Sequence, residues 1–315
     1  DILDPLKIPP QSLGQLRNSR PLDRNEIEAK IVGAICGAVS ENTDMENESI
    51  IRLSAFGVIF AILAIGEMVS PRRVLNCSKQ SRWFINFVII VLNPLSVRLL
   101  FPVLPVGMAL LSQQRRWGLF NNINLPIWFE TTAAVLLLDM IIYFQHVLFH
   151  ATPALWRLHM VHHTDLDFDV TTGLRFHPFE IIISMSLKLA AVITIGTSAL
   201  AVLIFEVALN GTTMFNHSNI RLPEKLDRCW RLFIVTPDMH RVHHSVIIKE
   251  TNSNYGFNFP WWDRLFGTYK AQPEQGHKDM TIGLSQFRDS SKLSLLRVLI
   301  MPFTYDGGRI PINRH

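Results

Sequence analysis

The stretches "LHMVHHT" at 158–164 and "MHRVHHS" at 239–245 decide how this chain is read. Each carries the pattern His-x-x-His-His, with His159, His162 and His163 in the first and His240, His243 and His244 in the second. On a helix, positions i and i+4 share a face, so His159 pairs with His163 and His240 with His244. The middle imidazole of each triplet then points aside, as it must if it serves a neighbouring centre. A further pair, His146 and His150, closes the apolar stretch "IWFETTAAVLLLDMIIYFQHVLFH" at 127–150. His177 in "RFHPFE" and His217 in "FNHSN" stand singly between the clusters. Pro178 pushes His177 out of helix and into a turn that delivers one side chain.

Ten of the twelve histidines thus fall between positions 146 and 244. Neutral imidazole suits zinc, copper, iron and nickel, and one metal takes four to six ligands. Eight to ten histidines therefore suit two metals side by side. Such a pair with open positions binds and splits dioxygen, and dry apolar surroundings protect the oxidant from water. Asp139 lies on the stripe 139, 143, 146, 150, and Asp238 just precedes the last cluster. Both are placed to accept a hydrogen bond from the outer nitrogen of a ligating ring. Lone His277 and His315 have no motif around them.

The surroundings are apolar. Hydrophobic residues make up 48% of the 315-residue chain and charged ones only 18%, against about a quarter in soluble proteins. The pattern predicts an all-α integral membrane bundle with about four membrane-embedded segments: 50–70, 83–111, 127–150 and 181–209. Pro94 and Pro102 make the second either one long kinked helix or two shorter pieces. The fourth reads as a tight hairpin turning near Gly196, which returns the second histidine triplet to the first. Domains follow as a soluble or interfacial lead-in at 1–50, membrane helices at 51–112, a catalytic domain at 113–275 and a tail at 276–315. Arg72, Arg73, Lys79 and Arg82 place the loop at 71–82, and with it the histidines, on the cytosolic side; Arg115 and Arg116 then fall outside, against the same rule.

Several classes are excluded. A net charge of +4 without basic–aromatic runs gives nucleic-acid binding no support. Cys36, Cys77 and Cys229 are scattered and form neither a disulfide framework nor a thiolate metal site. The chain has no H-E-x-x-H, no paired Glu-x-x-His, no P-loop, no G-x-G-x-x-G and no nucleophile elbow.

The motifs "LLLDMIIYFQHVLFH", "LWRLHMVHHTD", "RFHPFE", "FNHSN", "TPDMHRVHHS" and "SNYGFNFPWWDRLFGTY", in this order from about 115 to 270, resemble the fatty acid hydroxylase / sterol desaturase superfamily of membrane oxygenases. The resemblance implies a cytosol-facing di-iron centre held by His146, His150, His159, His162, His163, His240, His243 and His244, with His177 and His217 as additional single ligands. Zinc in such a site would be a substitute for iron. One departure is Val147, where many members carry arginine. Dioxygen is the expected co-substrate, a lipid the substrate, and hydroxylation the reaction, with desaturation on the same site as the alternative. A noncatalytic membrane metal-binding protein is the reading from a different class. Electrons are expected from a separate b-type cytochrome or ferredoxin system, and the setting is the endoplasmic reticulum or a bacterial inner membrane. "NFPWWDRLFGTY" fits an interfacial belt, a tunnel wall or plain core, and Lys188 either snorkels or faces a pocket.

Overall fold

In the computed structural model of the chain, residues 43–306 and 308 are described. The lead-in assigned to 1–50 therefore lies, up to residue 42, outside the described residues, as does the end of the tail. The chain divides into Asp1–Ile51 and Arg52–His315, and apart from the first residues of the helix that crosses this boundary everything below concerns the second unit.

The described residues form helices and no sheet, with two isolated bridges between extended residues. The helices are α1 (Thr43–Val69), α2 (Lys79–Leu100), α3 (Pro105–Arg115), α4 (Ile127–Ala151), α5 (Pro153–His163), α6 (Pro178–Ile195) and α7 (Ala199–Asn216). Then come α8 (Glu224–Trp230), α9 (Pro237–His243) and α10 (Leu295–Thr304), with single turns between the last two. Five segments are long and apolar enough to cross a membrane: Glu48–Val69, Lys79–Asn122, Ile127–Ala151, Pro178–Ile195 and Ala199–Asn216. Their outer faces carry exposed Ile62, Ile65, Val91, Leu95 and Leu99, the expected dress of a lipid-facing surface. The chain is an integral membrane protein.

The second apolar segment resolves into two pieces. Leu100 ends α2, Pro105 opens α3, and Pro102 lies in the break between them, where its missing N–H cannot continue the ladder. Pro94 is carried inside α2 without ending it. The fourth block is the hairpin α6–α7, closed by Gly196 in the left-handed region at φ 73°. The turn after α3 packs against this glycine, with Leu119 N–H donating to Thr194 O at 3.1 Å. This places Arg115 and Arg116 at the end of the bundle opposite the histidines.

The histidine end is pinned by buried charge. Arg82 near the start of α2 donates to Asp165 at 2.6 and 2.8 Å and to Asp169 at 2.6 Å. Arg175 reaches Val161 O at 3.0 Å and Asn86 Oδ1 at 2.9 Å. Burial alone would push the Asp165 carboxyl up, but Arg82 and then Arg175 hold it down at about 2. These bonds tie the segment after α5 to α2. Beneath α5, Trp156, Met160 and Val161 pack with Val298 and Met301 of α10 in one apolar core. The first histidine triplet therefore rides on a helix fixed from both sides.

Candidate metal centre

α5 and α9 are short helices, and each carries one triplet. Thr152 and Thr236 stand at their N-caps, each followed by proline at the first helical position, a combination that starts a helix at a set residue. The end of α4 brings His146 and His150, and the end of α7 delivers His217. Two groups result. His146, His150, His159, His163 and His243 form one, and His162, His217, His240 and His244 the other, with the ligand atoms of each group within 4.8 Å of one another. All nine rings are buried.

The middle histidine of each triplet crosses over. His163 and His159 share a group with His243, while His240 and His244 share theirs with His162. The groups adjoin, since His163 and His244 stack at 4.5 Å between ring centroids.

The hydrogen bonds fix the tautomers. Nδ1 lies 2.7 Å from a backbone oxygen in three rings: His146 on Tyr255, His243 on Ser253 and His217 on Thr213. His159 Nδ1 lies 2.7 Å from Glu180 Oε1, and His150 Nδ1 3.2 Å from Asn252 Oδ1. An oxygen acceptor requires the proton on Nδ1, which leaves Nε2 of these rings as a bare lone pair. Yet His146 Nε2 and His159 Nε2 stand 3.1 Å apart. His217 Nε2 has three Nε2 neighbours, His162 at 3.0 Å, His240 at 3.1 Å and His244 at 3.2 Å. Nε2 of His150, His163 and His243 is buried with no partner at all. Two facing lone pairs, as between His146 and His159, make no hydrogen bond. The single lone pair of His217 Nε2 cannot serve three neighbours, and buried unpaired nitrogens are costly. A cation in each group removes the conflict, so the donor set fits two metals.

Burial also keeps the rings neutral. It pushes His159 and His217 down to about 3 and holds His162, His163, His240, His243 and His244 well below the ordinary histidine range. Neutral imidazole is the ligating form.

Three expected site residues lie elsewhere. His177 joins neither group: it caps α6, with Nδ1 accepting from Phe179 N–H at 3.2 Å and Nε2 donating to Leu299 O at 3.0 Å. Both of its nitrogens are taken. Asp139 receives Trp262 Nε1–H at 2.7 Å instead of a ring N–H. Seven helical residues amount to about 10.5 Å of rise, so sharing a stripe with His146 does not bring it within reach. Asp238 is held by Arg72 Nε at 3.0 Å and by Arg241. The carboxylate that does orient a ligand is Glu180, three residues beyond His177. The carbonyls of Ser253 and Tyr255 do the same work from either side of Asn254, which sits in the left-handed region at φ 52°. Its side chain fixes that turn through Met239 O at 2.9 Å and Lys270 N at 2.8 Å.

A cavity of about 250 Å³ ends on this centre, lined by His146, His159 and Glu180 at one end and by Lys188 and Asn210 farther along. Phe149, Phe176, Phe257 and Leu209 supply much of its apolar wall. Lys188 faces this cavity and pairs with Glu206 at 2.8 Å.

Residues 131–268, which include all nine clustered histidines, match the family model described as fatty acid hydroxylase. Over that stretch the chain is similar to the fatty acid hydroxylase family. It is similar to ornithine lipid hydroxylase OlsE of Rhizobium tropici, at 28% identity over 50% of this chain and 46% of that protein. It is similar also to human alkylglycerol monooxygenase, at 25% identity over 54% of this chain and 38% of the relative. With methylsterol monooxygenase 2-2 of Arabidopsis thaliana it shares 25% identity over 53% of this chain and 64% of the relative. The chain thus spans about half or less of the first two relatives and under two thirds of the third. No solved structure gives a significant match.

Proposed function

We propose that this chain is a member of the fatty acid hydroxylase / sterol desaturase superfamily and a membrane-bound di-iron oxygenase that hydroxylates a C–H bond of a lipid. The reaction consumes dioxygen, two electrons and two protons, and yields the alcohol and water. The electrons come from a separate b-type cytochrome or ferredoxin system, and the site faces the cytosol. The observation that carries this reading is the largely apolar cavity ending on His146 and His159, beside buried nitrogens that have no hydrogen-bond partner. A metal store has no need of an apolar cavity against its ligands.

His146, His150, His159, His163 and His243 would hold one iron, and His162, His217, His240 and His244 the other. When bound, such a pair supplies the oxidant for the C–H bond. The protein's own residues do the rest. The carbonyls of Tyr255, Ser253 and Thr213 and the Glu180 carboxylate hold the protons on Nδ1 and so aim the Nε2 lone pairs. Phe149, Phe176 and Phe257 exclude water from the cavity and offer an apolar bed for the lipid chain. The relatives named as a lipid hydroxylase and as alkylglycerol and methylsterol monooxygenases support this class of substrate. Arg72, Arg73 and Lys79 at the histidine end support the cytosolic orientation.

The test is metal content and oxygen uptake of detergent-purified, iron-reconstituted protein given a reductant and a mixed lipid extract. About two irons per chain are expected from the two ligand sets, with lipid-dependent uptake abolished in His163→Ala and His244→Ala. A product heavier by one oxygen identifies hydroxylation, and one lighter by two hydrogens identifies desaturation. Tight metal binding without lipid-dependent uptake from any donor would instead make the chain a metal-binding membrane protein.

A further inference from the structure

The cavity beside the histidines is not uniformly apolar. Glu180, Ser184 and Lys188 recur every four residues along α6, share one face, and all line it. A cationic side chain inside a membrane-crossing helix is costly and persists where it has a partner and a use. Glu206 on α7 is the partner, with its second oxygen 2.7 Å from Arg52. An ammonium has three donors, and Glu206 takes one of those on Lys188. Two further polar residues line the same cavity. Gln145 donates from Nε2 to Ser184 at 3.0 Å and Asn93 from Nδ2 to Phe176 O at 3.1 Å. Their oxygens, Gln145 Oε1 and Asn93 Oδ1, are acceptors that an oxyanion does not serve. The groups that an anionic head satisfies are the remaining N–H donors of Lys188, which a bare hydrocarbon would cover and return nothing to.

We propose that Lys188 is the polar anchor of the substrate cavity, donating to an oxyanion of the lipid, either a carboxylate or a phosphate. This deepens, and rests on, the oxygenase reading above. Lys188 lies eight residues along α6 from Glu180, which touches the metal ligand His159, a rise of about 12 Å. An extended chain gains a little over 1 Å per bond, so the oxidised carbon lies within about ten bonds of the charged head. The cavity thus selects an anionic lipid and oxidises it within about ten bonds of its head.

The test uses the metal-loaded protein in detergent and four ligands of equal chain length: hexadecanoate, hexadecyl phosphate, hexadecanol and hexadecane. Binding is read by displacement of a fluorescent fatty acid, with turnover products mapped in parallel. The wild type should hold one or both anions about ten- to hundred-fold tighter than the alkane, the range for a hydrogen bond to a charged group. The stronger of the two anions identifies the head. Lys188→Arg should keep the preference, and Lys188→Met combined with Glu206→Gln should bring the four ligands to similar affinities. Equal binding of all four by the wild type would overturn the proposal without any variant. So would a preference surviving in the double variant, or hydroxylation confined to the terminal methyl. A head preference without turnover of any ligand would uphold the anchor and tell against the oxygenase reading.

Discussion

Removing the Glu180 carboxylate tests how the centre is held. Its Oε1 lies 2.7 Å from His159 Nδ1, and both side chains are almost fully buried, so no water replaces the bond. Leaving a buried donor without its acceptor costs about 1–3 kcal/mol, or roughly ten- to hundred-fold in a dissociation constant. Partners that orient metal-bound histidines have the same range of effect. Glu180→Ala should therefore weaken the metal held by the His146 group about ten- to hundred-fold and leave the His162 group unchanged. Glu180→Gln keeps an oxygen acceptor and should cost about ten-fold or less. Asp139→Asn is the contrast: its carboxylate holds Trp262, not a ring, so metal affinity should stay within about two-fold. The assay is competition between apoprotein and a chromophoric chelator for cobalt(II), whose absorption also reports ligand geometry. Full affinity at both sites in Glu180→Ala, alongside loss of one site in His159→Ala, would refute the assignment.

The crossover of the middle histidines predicts that His163→Ala and His162→Ala each spare a different site, leaving about one tightly held metal apiece in the same titration. His177→Ala should retain both metals and lower thermal stability by about 1 kcal/mol, the usual cost of a lost helix cap. Gly118 has φ 85°, and a Cβ there would overlap the backbone of Ile193 and Gly196. Gly118→Ala should therefore cost about 3 kcal/mol or more in stability, read from thermal unfolding in detergent, with little change in metal content. His277 is pushed down to about 3, first by burial and then by Arg241, Arg72 and Arg231, against the pull of Asp238. Its folded value lies below the ordinary one near 6.5, so the stability it brings is complete above that pH and lost as pH falls toward 3. Between about pH 7 and pH 5 the wild type should lose up to about 2 kcal/mol more than His277→Gln; parallel unfolding curves would contradict this.

Much of the centre was legible because helical spacing is rigid. The i, i+3, i+4 pattern forced each middle ring off its neighbours' face, and the rings divide between the two groups in just that way. Gly196 likewise marked the hairpin. The reading went astray where one clue stood for two meanings. His177 before a proline reads as a loop ligand, but the same geometry makes a cap for α6. Asp139 shares a stripe with His146, and a stripe says nothing of distance along the axis. Glu180 carried the better signal, a carboxylate opening a mainly apolar span beside a histidine motif. The carbonyls of Ser253, Tyr255 and Thr213 had no signal, because every residue has a carbonyl and only the fold selects which ones reach a ring.

The crossover also explains why the centre needs two triplets instead of two separate sites. His162 and His163 are covalent neighbours, as are His243 and His244, and consecutive Cα atoms stand 3.8 Å apart. Each pair sends one ring to each group, so the two groups are stapled together twice, once by α5 and once by α9. Their separation is then a property of the peptide bond and does not depend on how the membrane helices settle. Bending or tilting of α4 or α7 moves His146, His150 or His217, each of which serves one group only. These two membrane helices can therefore adjust to substrate or lipid while the spacing between the two ligand sets stays fixed.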